Sequence, residues 1–116
     1  YHDKKGENDV GESPAQFEPI FEFVDGKLKF KYQRELIYTG HEKMNKPLSK
    51  KQMEALDFLD KILKNENNVV TFELKSGDLM FSNNSWLIHD RTGFEDYEDE
   101  DLKRTLVRTW IRERGN

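Results

Sequence analysis

The feature that most constrains this chain is a strict alternation of residue types over residues 104–112. Arginine, leucine and tryptophan occupy every second position, and threonine, valine and isoleucine fill the positions between them. A period of two residues is that of a β-strand, so the sequence predicts a strand with Arg104 and Arg108 on one face. Burying an unpaired guanidinium is costly, and a strand of this kind that faces a core therefore requires a bound anion.

A second segment, residues 77–89, precedes this strand. A turn signal at residues 76–78 is followed by the apolar run of residues 79–81, which fits a short buried strand. A further apolar run, residues 86–88, ends at His89. If His89 lies on a strand beside the arginines, the three residues form one site, with an imidazole for a metal and cations for a carboxylate.

The order of these residues resembles a known enzyme family. The pattern G-D-L-x-F-x-x-N-x-x-x-x-H-x-R-T-x-F, followed by R-x-L-x-R-x-W, is similar to the C-terminal half of the iron(II)/2-oxoglutarate-dependent dioxygenases. The branch that it resembles is the taurine dioxygenase and clavaminate synthase-like group. The resemblance implies the cofactors Fe(II) and 2-oxoglutarate, with oxygenation of a small organic acid or amino-acid-like substrate.

The resemblance also implies a role for each of the three residues. His89 is the distal histidine of the iron site, and it is the metal ligand of this chain. Arg104 pairs with the far carboxylate of 2-oxoglutarate, and Arg108 is the second arginine, often near the substrate. The alternatives are a salt bridge from Arg104 to an acidic side chain and, for Arg108, a position that only caps the mouth of the barrel. Asn84 and Arg91 match the pattern as well; we interpret Asn84 as bonding backbone at a turn and Arg91 as pairing with a nearby acid.

The family's first two iron ligands come from a His-x-Asp/Glu motif, which this chain lacks. The second residue after each histidine is basic: Lys4, Lys43 and Arg91. Because the site needs three protein ligands, we expect a C-terminal portion that is inactive alone. The missing N-terminal half of the barrel would be on the same or another chain. The first residue, Tyr1, and the lean apolar share of 34% favour a fragment or one chain of a split assembly.

Composition excludes several partners. The net charge is −4 with scattered basic residues, so no patch favours nucleic acid. No run approaches the roughly 18 apolar residues of a membrane span, and no signal peptide is recognisable. The absence of cysteine fits a reducing cytoplasm, and homo-oligomerisation stays open.

The N-terminal part is predicted to comprise a flexible segment, a hairpin, a helix and a strand. Residues 1–16 are polar and indicate a flexible segment or lid remnant. Alternation over residues 17–23 and 27–32, on either side of Asp25-Gly26, predicts a hairpin. Arg34 follows at the strand end; it could reach a bound acid, but a solvated arginine is expected. Ser49 with Gln52 predicts a capped helix that closes at residues 64–65 and lays its apolar stripe on the sheet. Residues 68–74 alternate as a further strand, and the acidic run of residues 95–101 is expected to be a solvated loop.

The predicted fold is mainly β, a partial double-stranded β-helix (jelly roll) with one packed α-helix, and residues 17–116 form the C-terminal part of the barrel domain. The predicted function is that of an iron(II)/2-oxoglutarate-dependent dioxygenase. The alternative is a non-catalytic binding or dimerisation module derived from such a barrel, which the missing ligands favour. The presence of His89, Arg104 and Arg108 together favours the enzyme, because a module without iron has no evident need of all three residues.

Overall fold

The computed structural model of the chain describes residues 1–5 and 11–111. In chain order it contains strands β1 (His2–Asp3), β2 (Ala15–Gln16), β3 (Phe21–Val24) and β4 (Lys27–Phe30), then helices α1 (Arg34–Lys43) and α2 (Lys50–Leu63). One-turn 3-10 helices follow at Glu66–Asn68 and Glu100–Leu102. The described part of the chain is thus made of small antiparallel sheets and two α-helices, one helix more than predicted. It does not confirm the jelly roll.

Strands β3 and β4 form the predicted hairpin. Asp25 and Gly26 both have positive φ angles, 52° and 72°, as the tight turns that suit the twist of a hairpin require. The antiparallel register places Phe21 opposite Phe30, and their stacked rings have centroids 4.6 Å apart. The Asp-Gly signal was therefore sufficient to find the turn. The first strand begins at Phe21 and not at Phe17, where the alternation begins.

The sheet of β1 and β2 packs against helix α1. Gly40 allows this close approach, since a Cβ there would lie 2.8 Å from the backbone nitrogen of Asp3 and 2.8 Å from the backbone oxygen of Tyr1. The prediction of a flexible segment at residues 1–16 did not include these two strands. A role of this segment as a lid stays a prediction. The buried residues of the three elements are His2, Ala15, Ile37 and Gly40.

Helix α1 has no counterpart in the sequence-based predictions. Its N-cap residue, Gln33, makes no side-chain capping hydrogen bond, so the usual start signal is absent. The helix also contains Gly40 and several residues that favour strands over helices. Its stability therefore comes from packing, in which Ile37 and Gly40 are buried.

Helix α2 begins and ends as predicted. The Ser49 hydroxyl accepts a hydrogen bond from the backbone N–H of Gln52, and the Gln52 side chain accepts one from the backbone N–H of Ser49. This capping box satisfies two of the free donors at the start of the helix. The helix ends at the predicted place, with Lys64 as its C-cap.

The apolar stripe of α2 is covered only in part. Leu56 is buried, but Met53 and Ile62 remain 43% and 42% exposed. The prediction that the whole stripe lies on a sheet is therefore wrong for the described part of the chain. The helix is held instead at its polar side, where Asp57 and Asp60 bind Arg34 at the start of α1.

Residues 69–111 contain no assigned strand, so the strands predicted at residues 68–74, 79–81 and 104–111 are corrected; Arg112 lies outside the described residues. A strand is stabilised by hydrogen bonds to a neighbour, and a suitable alternation alone does not supply that neighbour. Apolar residues of this segment are accordingly open to solvent, with Val107 91% and Val70 86% exposed. One backbone hydrogen bond, from Phe30 N–H to the Ser85 oxygen at 2.7 Å, joins the segment to β4.

No helix in the described ranges has both the length and the apolar character needed to cross a membrane.

Candidate functional site

His89 lies in an irregular stretch between the turn at residues 84–86 and the 3-10 helix at Glu100–Leu102. Its side chain is exposed. The residue that follows it, Asp90, accepts a hydrogen bond from the backbone N–H of Arg91 at 2.8 Å. The imidazole is thus open to a partner that approaches from solvent or from another segment of protein.

Arg104 lies directly after that 3-10 helix and is held at its backbone. The carboxylate of Asp96 accepts a hydrogen bond from the Arg104 backbone N–H at 2.9 Å, which closes the acidic loop between them. Asp99 caps the 3-10 helix within this loop. The loop is solvated, as predicted, and it returns the chain so that Arg104 faces Phe94.

Phe94 has two arginines against its ring. The guanidinium carbon of Arg104 is 5.2 Å from the ring centroid, and that of Arg91 is 5.0 Å from the same centroid. Both distances are within the range of a cation–π contact. The interpretation that Arg91 pairs with a nearby acid is corrected, because among the described residues Arg91 makes no ion pair and its side chain contacts this ring.

Arg108 lies in the extended segment after Arg104. Its guanidinium carbon is 4.8 Å from the ring centroid of Trp110, two residues further along. Within the described ranges, no ion pair to a carboxylate is made by Arg104 or Arg108. The three site residues from the sequence, His89, Arg104 and Arg108, are therefore close in sequence and exposed, but no hydrogen bond joins their side chains in this part of the chain.

The described residues do not fit an iron site by themselves. They contain no group of three or more histidine, aspartate or glutamate side chains that could hold a metal ion. The side chain of Asn83, and not that of Asn84, bonds backbone at the turn, because Asn83 accepts a hydrogen bond from the backbone N–H of Ser85. The side chain of Asn84 accepts a hydrogen bond from the Ser82 hydroxyl instead, so the interpretation of Asn84 is corrected.

Arg34 contrasts with the arginines at Phe94, because it has a full set of partners. It makes ion pairs of 2.5 Å with Asp57 and Asp60 of α2 and also donates to the hydroxyl of Tyr38. These bonds to Tyr38, Asp57 and Asp60 raise the pKa of its guanidinium. The prediction of a solvated strand-end arginine is wrong, since the side chain is only 25% exposed and begins a helix.

Asp60 is the centre of this cluster. Its carboxylate forms an ion pair with the guanidinium of Arg34 and accepts a hydrogen bond of 2.5 Å from the Tyr32 hydroxyl. Burial acts to raise the pKa of Asp60, but the bonds from Tyr32 and Arg34 outweigh it and the pKa is lowered. Burial and the bond to Asp60 raise the pKa of Tyr32 in turn. The spacing of Asp57 and Asp60 on one helical face was a usable signal, but it needed α1 to be recognised.

His2 is a buried ionisable residue in the sheet of β1 and β2. Its Nδ1 lies 3.6 Å from the carboxylate of Glu18, which also contacts the ammonium group of Lys31. Burial lowers the pKa of His2, and Glu18 opposes this only in part. Burial between the sheet and α1 therefore disfavours the protonated imidazole, and His2 has a structural role.

Comparison with known proteins identifies the class. The sequence model for the taurine catabolism dioxygenase TauD, TfdA family matches residues 1–110. The chain belongs to this family of dioxygenases. The match covers both the fully described hairpin and helices and the segment that carries His89, Arg104 and Arg108.

Two curated relatives show the same relationship. The chain is 31% identical over 114 residues to FR-33289 synthase of Streptomyces rubellomurinus, covering 96% of this chain and 34% of that protein. It is 32% identical over 103 residues to a taurine hydroxylase-like protein of Stachybotrys chartarum, covering 85% of this chain and 26% of that protein. The chain thus spans about a third or less of the relatives that it matches. No solved structure matches it.

Proposed function

We propose that this chain is the C-terminal portion of an iron(II)/2-oxoglutarate-dependent oxygenase that acts on a small organic acid or amino-acid-like substrate. Membership of the dioxygenase family supports the reaction class. The observation that carries the assignment of the cosubstrate is Arg104. Its guanidinium contacts an aromatic ring and, in the described part of the chain, has no carboxylate partner. An arginine so arranged is suited to a rigid carboxylate, which its planar fork binds with two parallel hydrogen bonds.

Each site residue has one task in this proposal. Arg104 binds the far carboxylate of 2-oxoglutarate, and Arg108 binds the acidic group of the substrate. His89 supplies a neutral imidazole as one ligand of the iron, since imidazole is a suitable ligand for this metal. When bound, iron and 2-oxoglutarate would supply the chemistry that activates molecular oxygen, the oxidant, while the residues of this chain bind and orient the two organic acids.

The remaining ligands and the remaining strands belong to an N-terminal half of the barrel, on the same or another chain. The match with this chain covers only 34% and 26% of the length of the two relatives, which supports a further part of the barrel outside these residues. Exposed apolar side chains supply a second argument, because a segment as open as residues 69–111 has surface available for partner strands. In the complete protein we expect residues 68–74, 79–81 and 104–112 to pair as strands of a jelly roll.

Substitution of Arg104 tests the proposal. In the complete protein, Arg104→Ala should weaken 2-oxoglutarate binding roughly 30-fold or more, since truncating one partner of a desolvated charge pair costs about 2–5 kcal/mol. Titration of 2-oxoglutarate in the absence of oxygen measures this without turnover. Arg104→Lys should restore binding only in part, because it keeps the charge and loses the fork.

Arg108→Ala is the matched control on the same segment. It should change the affinity for the substrate much more than the affinity for 2-oxoglutarate. Unchanged 2-oxoglutarate affinity in Arg104→Ala would favour the non-catalytic module over the enzyme. The described residues contain no group of three side chains that could hold a metal ion, and this observation favours the non-catalytic module.

A further inference from the structure

The pair of guanidinium groups at Phe94 is not explained by one carboxylate-binding arginine alone. Arg91 and Arg104 each lie about 5 Å from the same ring centroid, so their charged groups are at most about 10 Å apart. Both residues are exposed, and salt at physiological ionic strength screens charges over about 8 Å, so repulsion between the two cations is weak at the larger separations that this bound allows. The ring nevertheless places two cations near each other, and an anion that binds beside the ring can interact favourably with both.

Nearby acids do not neutralise the pair within the described residues. Asp90 and Asp96, the carboxylates that contact this region, accept hydrogen bonds from the backbone N–H groups of Arg91 and Arg104 and not from their guanidinium groups. Each acid thereby fixes the backbone of its arginine while the cationic end stays available. The arrangement contrasts with Arg34, where two carboxylates take up the guanidinium directly.

We propose that Arg91 is a second binding residue for the far carboxylate of 2-oxoglutarate, with Phe94 as the positioning residue that aligns both guanidinium groups. The inference rests on the proposed function, in which Arg104 binds that carboxylate. The aromatic ring attracts both cations and restricts where they lie. A carboxylate offers two oxygens with several acceptor sites, enough for hydrogen bonds from two arginines.

The experiment is a titration of the complete protein with two ligands, without oxygen. The first ligand is 2-oxoglutarate, and the second is 2-oxobutanoate, which keeps the 2-oxo acid end but lacks the far carboxylate. Arg91→Gln should weaken 2-oxoglutarate at least about tenfold, the size expected for lost hydrogen bonds to a charged group. The same substitution should leave 2-oxobutanoate almost unchanged, since that ligand has no group for Arg91 to bind.

Substitutions of Phe94 test the positioning role. Phe94→Leu should weaken 2-oxoglutarate about two- to fivefold, the factor that corresponds to an exposed cation–π contact, whereas Phe94→Tyr should retain the affinity. Tyr97→Leu is the matched control, because Tyr97 is an exposed aromatic residue of the same loop with no guanidinium at its ring among the described residues. It should change neither ligand's affinity.

Three results would overturn the inference. Unchanged 2-oxoglutarate affinity in Arg91→Gln, with the loss in Arg104→Ala still present, removes Arg91 from the site and leaves the proposed function intact. An equal loss for both ligands in Arg91→Gln identifies a structural role in place of a binding role. No loss in Arg104→Ala overturns the proposed function itself, and the inference with it.

Discussion

The two regions of the described chain, before and after residue 69, differ in how their backbone structure is stabilised. Residues 1–5 and 11–68 contain the four strands, both α-helices and the buried residues, whereas residues 69–111 contain a single 3-10 turn and no buried residue. The difference is not one of apolar content, because the second region carries many large apolar side chains. It is a difference in the distance over which each type of structure finds its hydrogen bonds.

Helices and tight hairpins obtain their hydrogen bonds within a few residues, and strands of a barrel obtain theirs from distant segments. The capped helix α2 and the β3–β4 hairpin are present for that reason. The alternating segments lack a neighbour within the described chain, so an equally clear pattern gives no strand there. Within the described residues, the second region therefore lacks the neighbouring strands that its alternation would need.

Amide hydrogen exchange should show the largest contrast between the regions. In the isolated 116-residue chain, the amides of α1, α2 and the hairpin should be protected, while those of residues 69–111 should exchange close to the unprotected rate. Exchange measured by mass spectrometry on peptides from both regions checks this. Comparable protection in both regions would remove the distinction and the argument for absent partner strands.

A second prediction concerns Gly40, where α1 meets β1. Gly40→Ala should lower the free energy of unfolding by about 1–3 kcal/mol, the usual cost of overpacking, because its Cβ would meet backbone atoms at 2.8 Å. At an exposed helical glycine, the same substitution would raise the free energy of unfolding, because alanine is the better helix former. Urea unfolding followed by circular dichroism measures the change.

Gly93→Ala is the control in the other region. A Cβ at Gly93 would meet no atom within 4 Å, so we expect almost no change in unfolding. If Gly40→Ala stabilises the chain, then β1 does not pack on α1 as described.

A third prediction concerns the arginine that joins the two helices. Arg34→Met should lower the free energy of unfolding by more than the loss of an exposed ion pair does, because it leaves both Asp57 and the partly buried Asp60 without their partner. Lys50→Met removes an exposed ion pair to Glu54 on one helix face, and it should cost at most about 0.5 kcal/mol. If the two substitutions change the free energy of urea unfolding equally, the Arg34 cluster stabilises the chain no more than an ordinary surface ion pair does.

The smallest expected effect is a pH dependence from Asp60. Its pKa in the folded chain is lowered, so its contribution to stability is present above its unfolded pKa of about 3.9 and is lost as the pH falls through the lower, folded value. Asp60→Asn should flatten the stability curve below about pH 4. Urea unfolding between acidic and neutral pH measures it, and an unchanged slope in Asp60→Asn would assign the acid sensitivity to other carboxylates.

Sequence patterns predicted the local elements well and the long-range contacts poorly. Ser49 with Gln52 and Asp25 with Gly26 were found because each motif satisfies backbone groups only a few residues away. Helix α1 was missed because Gln33 supplies no cap and the helix is stabilised by packing. The solvated state predicted for Arg34 was wrong because its acids lie on another helix, more than twenty residues along the chain.

The sequence by itself determined the family, the hairpin, the capped helix and the order of His89, Arg104 and Arg108, because these depend on residue identity and short spacing. Tertiary structure alone decided that Gly40 must lack a side chain and that Arg34 is paired. It also brought Arg91 and Arg104 to one aromatic ring, by a loop that Asp96 closes. Such contacts depend on how the backbone returns on itself, and the free energy of a contact between distant residues is not encoded in their local pattern.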